Sequence, residues 1–141
     1  MTSPDAQPHP TASLPPQEDH VDGPSSTVLA GAVLEYRYTR GTRYRLTFDH
    51  DGHVTFAELD AVPGGPPAPV LDYRARELRP GLVLVHWIVK PAAIHVTLAV
   101  DLTEGTVYAA AMMPPNRWEF WDSGVIDSLT RVAADGTPVP G

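Results

Sequence analysis

Residues 34–58 read LEYRYTRGTRYRLTFDHDGHVTFAE, and their alternation decides the fold. Leu34, Tyr36 and Tyr38 alternate with Glu35, Arg37 and Thr39, the period of a strand with one face buried. Arg40-Gly41 supplies a turn. Tyr44, Leu46 and Phe48 then alternate with Arg43, Arg45 and Thr47, so one face is apolar and the other charged. Asp51-Gly52 is a hairpin signal, because the tight turns that match strand twist need positive φ. Val54, Phe56 and Glu58 continue the inner face beyond it. Three strands therefore build one wall, whose polar handles are its phenols and Glu58.

The same pattern repeats downstream. Strands are expected over residues 30–39, 42–49, 53–59, 70–78, 82–89, 93–102, 106–113 and 121–132, the last broken near Gly124. Turn residues separate them: Pro80-Gly81, Lys90-Pro91, Thr103-Glu104-Gly105 and Pro114-Pro115-Asn116. Short strands at even spacing point to an all-β barrel or sandwich. Residues 61–69 (AVPGGPPAP) form a loop, since proline donates no ladder hydrogen bond. About eight strands in up-and-down order close into a barrel able to hold one small ligand. Val83, Val85, Trp87 and Val89 share one face, as do Val96, Leu98 and Val100, and Val107, Ala109, Ala111 and Met113. The alanines leave volume unfilled on the inner face, and a cavity follows; the alternative is a filled barrel whose taper they fit.

One domain suits a chain of 141 residues. We expect a disordered, Pro-rich tail over 1–27, the barrel over 28–132 and a flexible tail over 133–141. The formal net charge of −7 argues against a nucleic-acid partner, which would need a basic stripe, and against docking on an anionic membrane. The absence of cysteine excludes disulfides, thiolate metal sites and a thiol nucleophile. Residues 1–10 show no basic region followed by an apolar core, so the expectation is a cytoplasmic protein without a secretory signal. Strand edges beside the 61–69 loop would allow a homodimer.

Residues 47–58 match much of a calcium-binding EF-hand loop, with Asp49 and Asp51 at ligand positions, Gly52 at the turn and Glu58 at the last ligand. Such a loop needs flanking helices, whereas the residues before it alternate as a strand; the hairpin is the better reading. Of the six histidines, His9 and His20 fall in the tail, and His50 and His53 flank the turn. His86 and His95 have parity opposite to Trp87 and Val96, so they face outward. No metal and no cofactor are expected. The run 117–121 (RWEFW) would lid or plug one barrel end.

Tyr36 and Tyr38 are the chemical centre of the wall. Two phenols on one inner face can donate hydrogen bonds to one carboxylate or enolate. Glu58 on the same face would move a proton if buried, because burial raises a carboxyl into the useful range; the alternative places it at the barrel rim, in water. Tyr44, Phe56, Trp87, Val89, Val96, Leu98, Ala111 and Met113 would pack against the ligand.

The pattern Tyr36-x-Tyr38-x-x-Gly41-x-x-Tyr44 resembles the N-terminal strands of the bacterial phenolic acid decarboxylases. The run 80–87 (PGLVLVHW) resembles one of their inner strands. Val96-Thr97-Leu98 and Met112-Met113-Pro114 follow in matching order. The broader likeness is to the MoaF-like family, named for a protein associated with molybdenum-cofactor biosynthesis, and it is most typical over 73–107. Together the motifs span roughly residues 29–132. The resemblance implies an eight-stranded antiparallel lipocalin-like (calycin) barrel. It also implies that Tyr36 and Tyr38 engage a substrate carboxylate and that Tyr44 joins them in the cavity. The decarboxylases' arginine has no counterpart in 61–69, and their glutamate falls at Val89 or Lys90, which leaves Glu58 as the acid on the wall. The expectation is a cofactor-independent enzyme of secondary metabolism acting on a small hydrophobic or aromatic molecule that bears a phenol, carboxylate or enolisable carbonyl. Decarboxylase (lyase) or cyclase/isomerase chemistry suits the wall. The alternative is a non-catalytic, lipocalin-like carrier. An accessory role in molybdenum-cofactor metabolism rests on the family name.

Overall fold

Alternation on every strand has a single outcome in the structure, a sheet rolled until its first long strand meets its last. The computed structural model describes residues 25–65, 67–114 and 118–140. Its strands are β1 (Ala32–Tyr38), β2 (Arg43–Phe48), β3 (His53–Glu58), β4 (Val70–Arg79), β5 (Leu82–Val89), β6 (Ile94–Asp101), β7 (Thr106–Met113) and β8 (Trp118–Val132), with a two-residue β9 (Pro138–Val139). They pair antiparallel in chain order, and β1 also pairs with β8. That last pairing runs from Ala32↔Arg131 to Tyr38↔Gly124 and closes an eight-stranded barrel. The expected tail over 1–24 lies outside the described residues. Ser25 and Ser26 run beside β4, where the Ser26 amide donates to the Ala75 carbonyl at 2.8 Å and the Ala75 amide donates to Ser25 Oγ at 2.9 Å. Within the segment read as a C-terminal tail, β9 pairs with Arg131 and Val132.

The barrel has two unlike ends. At one, tight turns join β2 to β3, β4 to β5 and β6 to β7. Leu29, Leu34, Phe48, Val54, Val83, Val100 and Val107 fill it, each at most 1% exposed. Full burial of such side chains stabilises by about 1.5–3 kcal/mol each, so this half is the barrel's core. Leu29 plugs it from the turn before β1. That turn depends on Gly31, whose φ of +78° is left-handed and whose missing Cβ would lie 2.2 Å from the Val132 carbonyl oxygen. At the other end lie the β1–β2 turn, the 59–69 loop, the 3-10 turn Lys90–Ala92 between β5 and β6, and the β7–β8 connection. Here the inner side chains are aromatic or small, and space remains.

The hairpin at Asp51-Gly52 forms as the sequence indicates. Asp49 Oδ1 accepts the amides of Asp51 and His53, each at 2.8 Å. The carboxylate that matches a calcium-loop ligand is thus committed to the turn. On the outside, Arg45–Glu35 (2.7 Å) and Arg37–Asp127 (3.2 Å) are ion pairs. Exposed pairs of this kind contribute about 0–1 kcal/mol each. They mark the wet face of the alternation rather than hold the fold. β3 and β4 pair only through His53, Val54 and Thr55, so the sheet parts along that seam beyond Thr55.

β8 corrects the expectation of a break near Gly124. It runs unbroken, and Gly124 pairs with both Tyr38 and Val107. Glycine is required there because β1 comes close: a Cβ would meet the Arg37 carbonyl oxygen at 2.6 Å and the Tyr36 ring at 3.4 Å. The irregularity sits further on, at Asp127, which the register skips between Tyr36↔Ile126 and Glu35↔Ser128. Such a bulge adds local twist. Gly124→Ala should therefore force the closing strands apart and destabilise the protein by about 1–3 kcal/mol, the usual cost of overpacking; urea unfolding measures this.

Candidate functional site

A cavity of about 170 Å³ lies in the aromatic half of the barrel. Its wall takes Tyr36 and Tyr38 from β1, Tyr44 and Leu46 from β2, and Phe56 from β3. Trp87 and Val89 come from β5, Ile94 and Val96 from β6, Ala109, Ala111 and Met113 from β7, and Phe120 from β8. Strand period two places them all on one face. Of the residues expected to touch a ligand, only Leu98 is absent. It lies a layer deeper, 1% exposed, packed in the closed half. Leu46, Ile94, Ala109 and Phe120 join the wall beyond the expected set. Leu46, Ile94 and Ala109 have the parity of neighbours already assigned inward, so the signal was present for them; Phe120 precedes the expected last strand, 121–132, and had no such neighbour.

The phenols are held by one another. Tyr36 and Tyr38 have their rings 5.0 Å apart at 87°, and their hydroxyls are 3.0 Å apart. Tyr44 stacks on Tyr36 at 6.1 Å and meets Tyr38 edge-on at 5.8 Å. Phe120 closes against Tyr38 at 5.0 Å, with the Arg40 guanidinium over the Phe120 ring at 5.7 Å. Opposite, Phe56 and Trp87 stack at 6.4 Å.

Hydrogen-bond accounting shows what this wall can do. Two hydroxyls carry two protons, and Tyr36 and Tyr38 share one bond. Whichever donates, the other proton has no acceptor among the described residues. The Trp87 indole N–H is also buried without a partner there. Unspent buried donors are costly, and they suit a ligand carrying an acceptor oxygen.

The phenols stay protonated at neutral pH. Burial pushes Tyr36 far up, and Tyr38, their mutual hydrogen bond and Tyr44 add to that. Burial likewise pushes Tyr38 up to about 12, although the bond from Tyr36 lowers it; Tyr44 and Asp122 raise it. Tyr44 is raised by burial and by the Glu58 charge. These groups donate; they do not act as bases.

Glu58 shares the inner face, directly across from Tyr44, yet it is exposed at the open rim. Of the two positions open to it, buried or at the rim, it takes the rim: β3 ends at Glu58, so no further sheet covers it. Asp122 is the acid that sequence reasoning missed. It pairs with Ala109, a cavity residue, and so shares the inner face. Its Oδ1 accepts the Thr39 hydroxyl at 2.5 Å and the Ser123 amide at 2.7 Å. Its Oδ2 is shielded and unpartnered among the described residues. The Thr39 bond, ahead of other causes, holds its carboxyl below the usual range. A strand broken at Gly124 leaves its parity undefined, which is why the alternation does not reveal it.

The outward histidines are where parity placed them. His86 and His95 have rings 6.2 Å apart, and burial, then His95 and Arg74, lowers the His86 pKa. Among the described residues no three His, Asp or Glu side chains gather as metal ligands. Trp121 points away from the barrel at 74% exposure, while Arg117 lies outside the described residues. No described helix is long and apolar enough to cross a membrane.

The model of the MoaF-like family matches residues 30–122. The chain belongs to the MoaF-like family. The match runs from the turn before β1 to Asp122 and so covers the cavity wall. A crystal structure described as a putative beta-lactamase from Burkholderia vietnamiensis superimposes with a TM-score of 0.61 at 21% identity, covering 74% of this chain and 96% of that one. At that identity the likeness concerns the fold. No curated protein matches the chain.

The raised phenols carry a consequence for stability. The folded state keeps protons that an unfolded chain releases near pH 10. Their contribution is therefore complete below about pH 10 and is lost as pH rises towards 12, where Tyr38 ionises. The urea midpoint should fall steeply over that interval, and the Tyr36→Phe/Tyr38→Phe double variant should flatten the fall.

Proposed function

We propose that the protein is a cofactor-independent enzyme acting on a small, mainly apolar molecule inside the barrel, by lyase or cyclase/isomerase chemistry. What supports this reading is the buried Tyr36–Tyr38 hydroxyl pair at 3.0 Å, with one proton left unspent on an apolar cavity. An apolar cavity of about 150 Å³ accepts benzene, so about 170 Å³ suits one ring or a short chain. In such a dry site a preset donor stabilises negative charge as it develops on a substrate oxygen, with little reorganisation. Tyr36 and Tyr38 would polarise that oxygen. Trp87 would donate a further bond. Glu58, at the rim beside Tyr44, would exchange the proton with solvent. Tyr44, Phe56, Val89, Val96, Ala111 and Met113 would hold the apolar body.

A carrier is the second reading. It is favoured by the wall itself, which among the described residues offers no titrating group besides phenols. The discriminating experiment is a mass-spectrometric screen against aromatic acids, aromatic ketones and linear polyene or polyketide-like acids and ketones. A product lighter by carbon dioxide indicates a lyase. An equal-mass product at a new retention time indicates a cyclase or isomerase. Compounds retained but unchanged would sink the enzyme reading and leave the carrier. Where turnover is found, Tyr36→Phe should lower kcat by about 100-fold, as loss of one oxyanion donor does, with ligand binding preserved by the unchanged ring packing.

A further inference from the structure

The open rim carries charge that the cavity wall lacks. Glu58 lies across from Tyr44 and Asp122 across from Ala109, so two carboxylates, on β3 and β8, flank the β1–β2 phenols on the inner face. Both already act on the phenols: Glu58 raises Tyr44, and Asp122 raises Tyr38. Asp122 is fixed through Thr39 and Ser123, with Oδ2 shielded and unpartnered among the described residues.

Cations near the mouth do not offset this from within. Arg40 is exposed and lies over the Phe120 ring without lining the cavity, and its field falls on Asp122. Arg43 is paired with Asp60 at 2.7 Å. Lys90 lines the outer groove between β4 and β5. No Lys, Arg or His lines the cavity among the described residues.

We propose that the site selects uncharged oxygen-bearing ligands, such as aromatic ketones, aldehydes, esters or neutral phenols, and rejects carboxylates. The inference rests on the cavity-binding reading above and narrows it. An anion entering an apolar cavity gives up its hydration and needs a paired charge in return. Here it would meet neutral phenol and indole donors and two like charges at the rim. A carbonyl oxygen gives up far less, and one unspent hydroxyl proton repays it. Within the proposed chemistry this favours the cyclase or isomerase arm over decarboxylation, because a decarboxylase must first accept a carboxylate.

The test compares three probes of one size: 4-hydroxyacetophenone, methyl 4-hydroxybenzoate and 4-hydroxybenzoate. Titration of the full chain is followed by the ¹H–¹⁵N resonance of the Trp87 indole at neutral pH. The ketone and the ester should bind at least tenfold more tightly than the carboxylate. In the Glu58→Gln/Asp122→Asn double variant that ratio should shrink to threefold or less. A carboxylate that binds as well as the ketone overturns the proposal while leaving cavity binding intact. A tenfold ratio that persists in the double variant overturns the role given to the rim carboxylates. If none of the three probes shifts the indole resonance, the cavity-binding reading fails and this inference goes with it.

Discussion

Closure of β1 on β8 is the constraint from which the rest follows. A sheet left open would have no inside, and alternation would sort residues only into two faces. Once Ala32–Tyr38 pairs along its whole length with β8, one face becomes an interior and every odd or even position acquires a fixed meaning. The closing strands approach so tightly at Gly124 that a single methyl group would collide with the Arg37 carbonyl. The contact that seals the ring also seats the Tyr36 ring, which borders that glycine. Fold and candidate site thus share one piece of geometry.

The interior is graded rather than uniform. Branched aliphatic residues and Phe48 fill the turn-rich half, whereas rings and alanines line the other half and leave a cavity. Packing density makes the first half stiff. The second half pairs rings both edge-on, at Tyr36–Tyr38 and Tyr38–Phe120, and stacked, at Tyr36–Tyr44 and Phe56–Trp87. Its phenols satisfy each other only in part. A rigid floor beneath a partly satisfied polar roof suits a site that must be present before its ligand arrives.

Much of this was legible in the residues themselves. Period-two alternation from Leu34 to Phe56 gave strand, face and turn together, since a buried face permits only one register. The inward set on β5, β6 and β7 followed the same way, as did the outward His86 and His95. Depth along the barrel axis was not legible. Leu98 and Val96 have equal parity, yet one is core and the other wall, because distance from the mouth depends on shear between strands. Glu58 illustrates the same gap: its face was readable, its burial was not. Asp122 was hidden for another reason. Glycine in a strand signals either a break or a close approach, and only the position of β1 decides which. The MoaF-like resemblance agreed with the pattern on fold, and it could not supply the Arg or Glu that this chain lacks at the matching positions.

The short pairing of β3 with β4 gives the ring a mechanical character. Seven of its seams are ladders of some length, but this one is held by residues 53–55 alone, beside the proline-rich stretch. Under thermal motion a closed hoop with one weak joint behaves as a clasp. It yields at the joint while the rest keeps its curvature. Phe56 of β3 and Trp87 of β5, stacked on one another, lie beside it on the inner face. The wall is therefore least tied at its side, away from the β1–β8 closure on which the barrel depends.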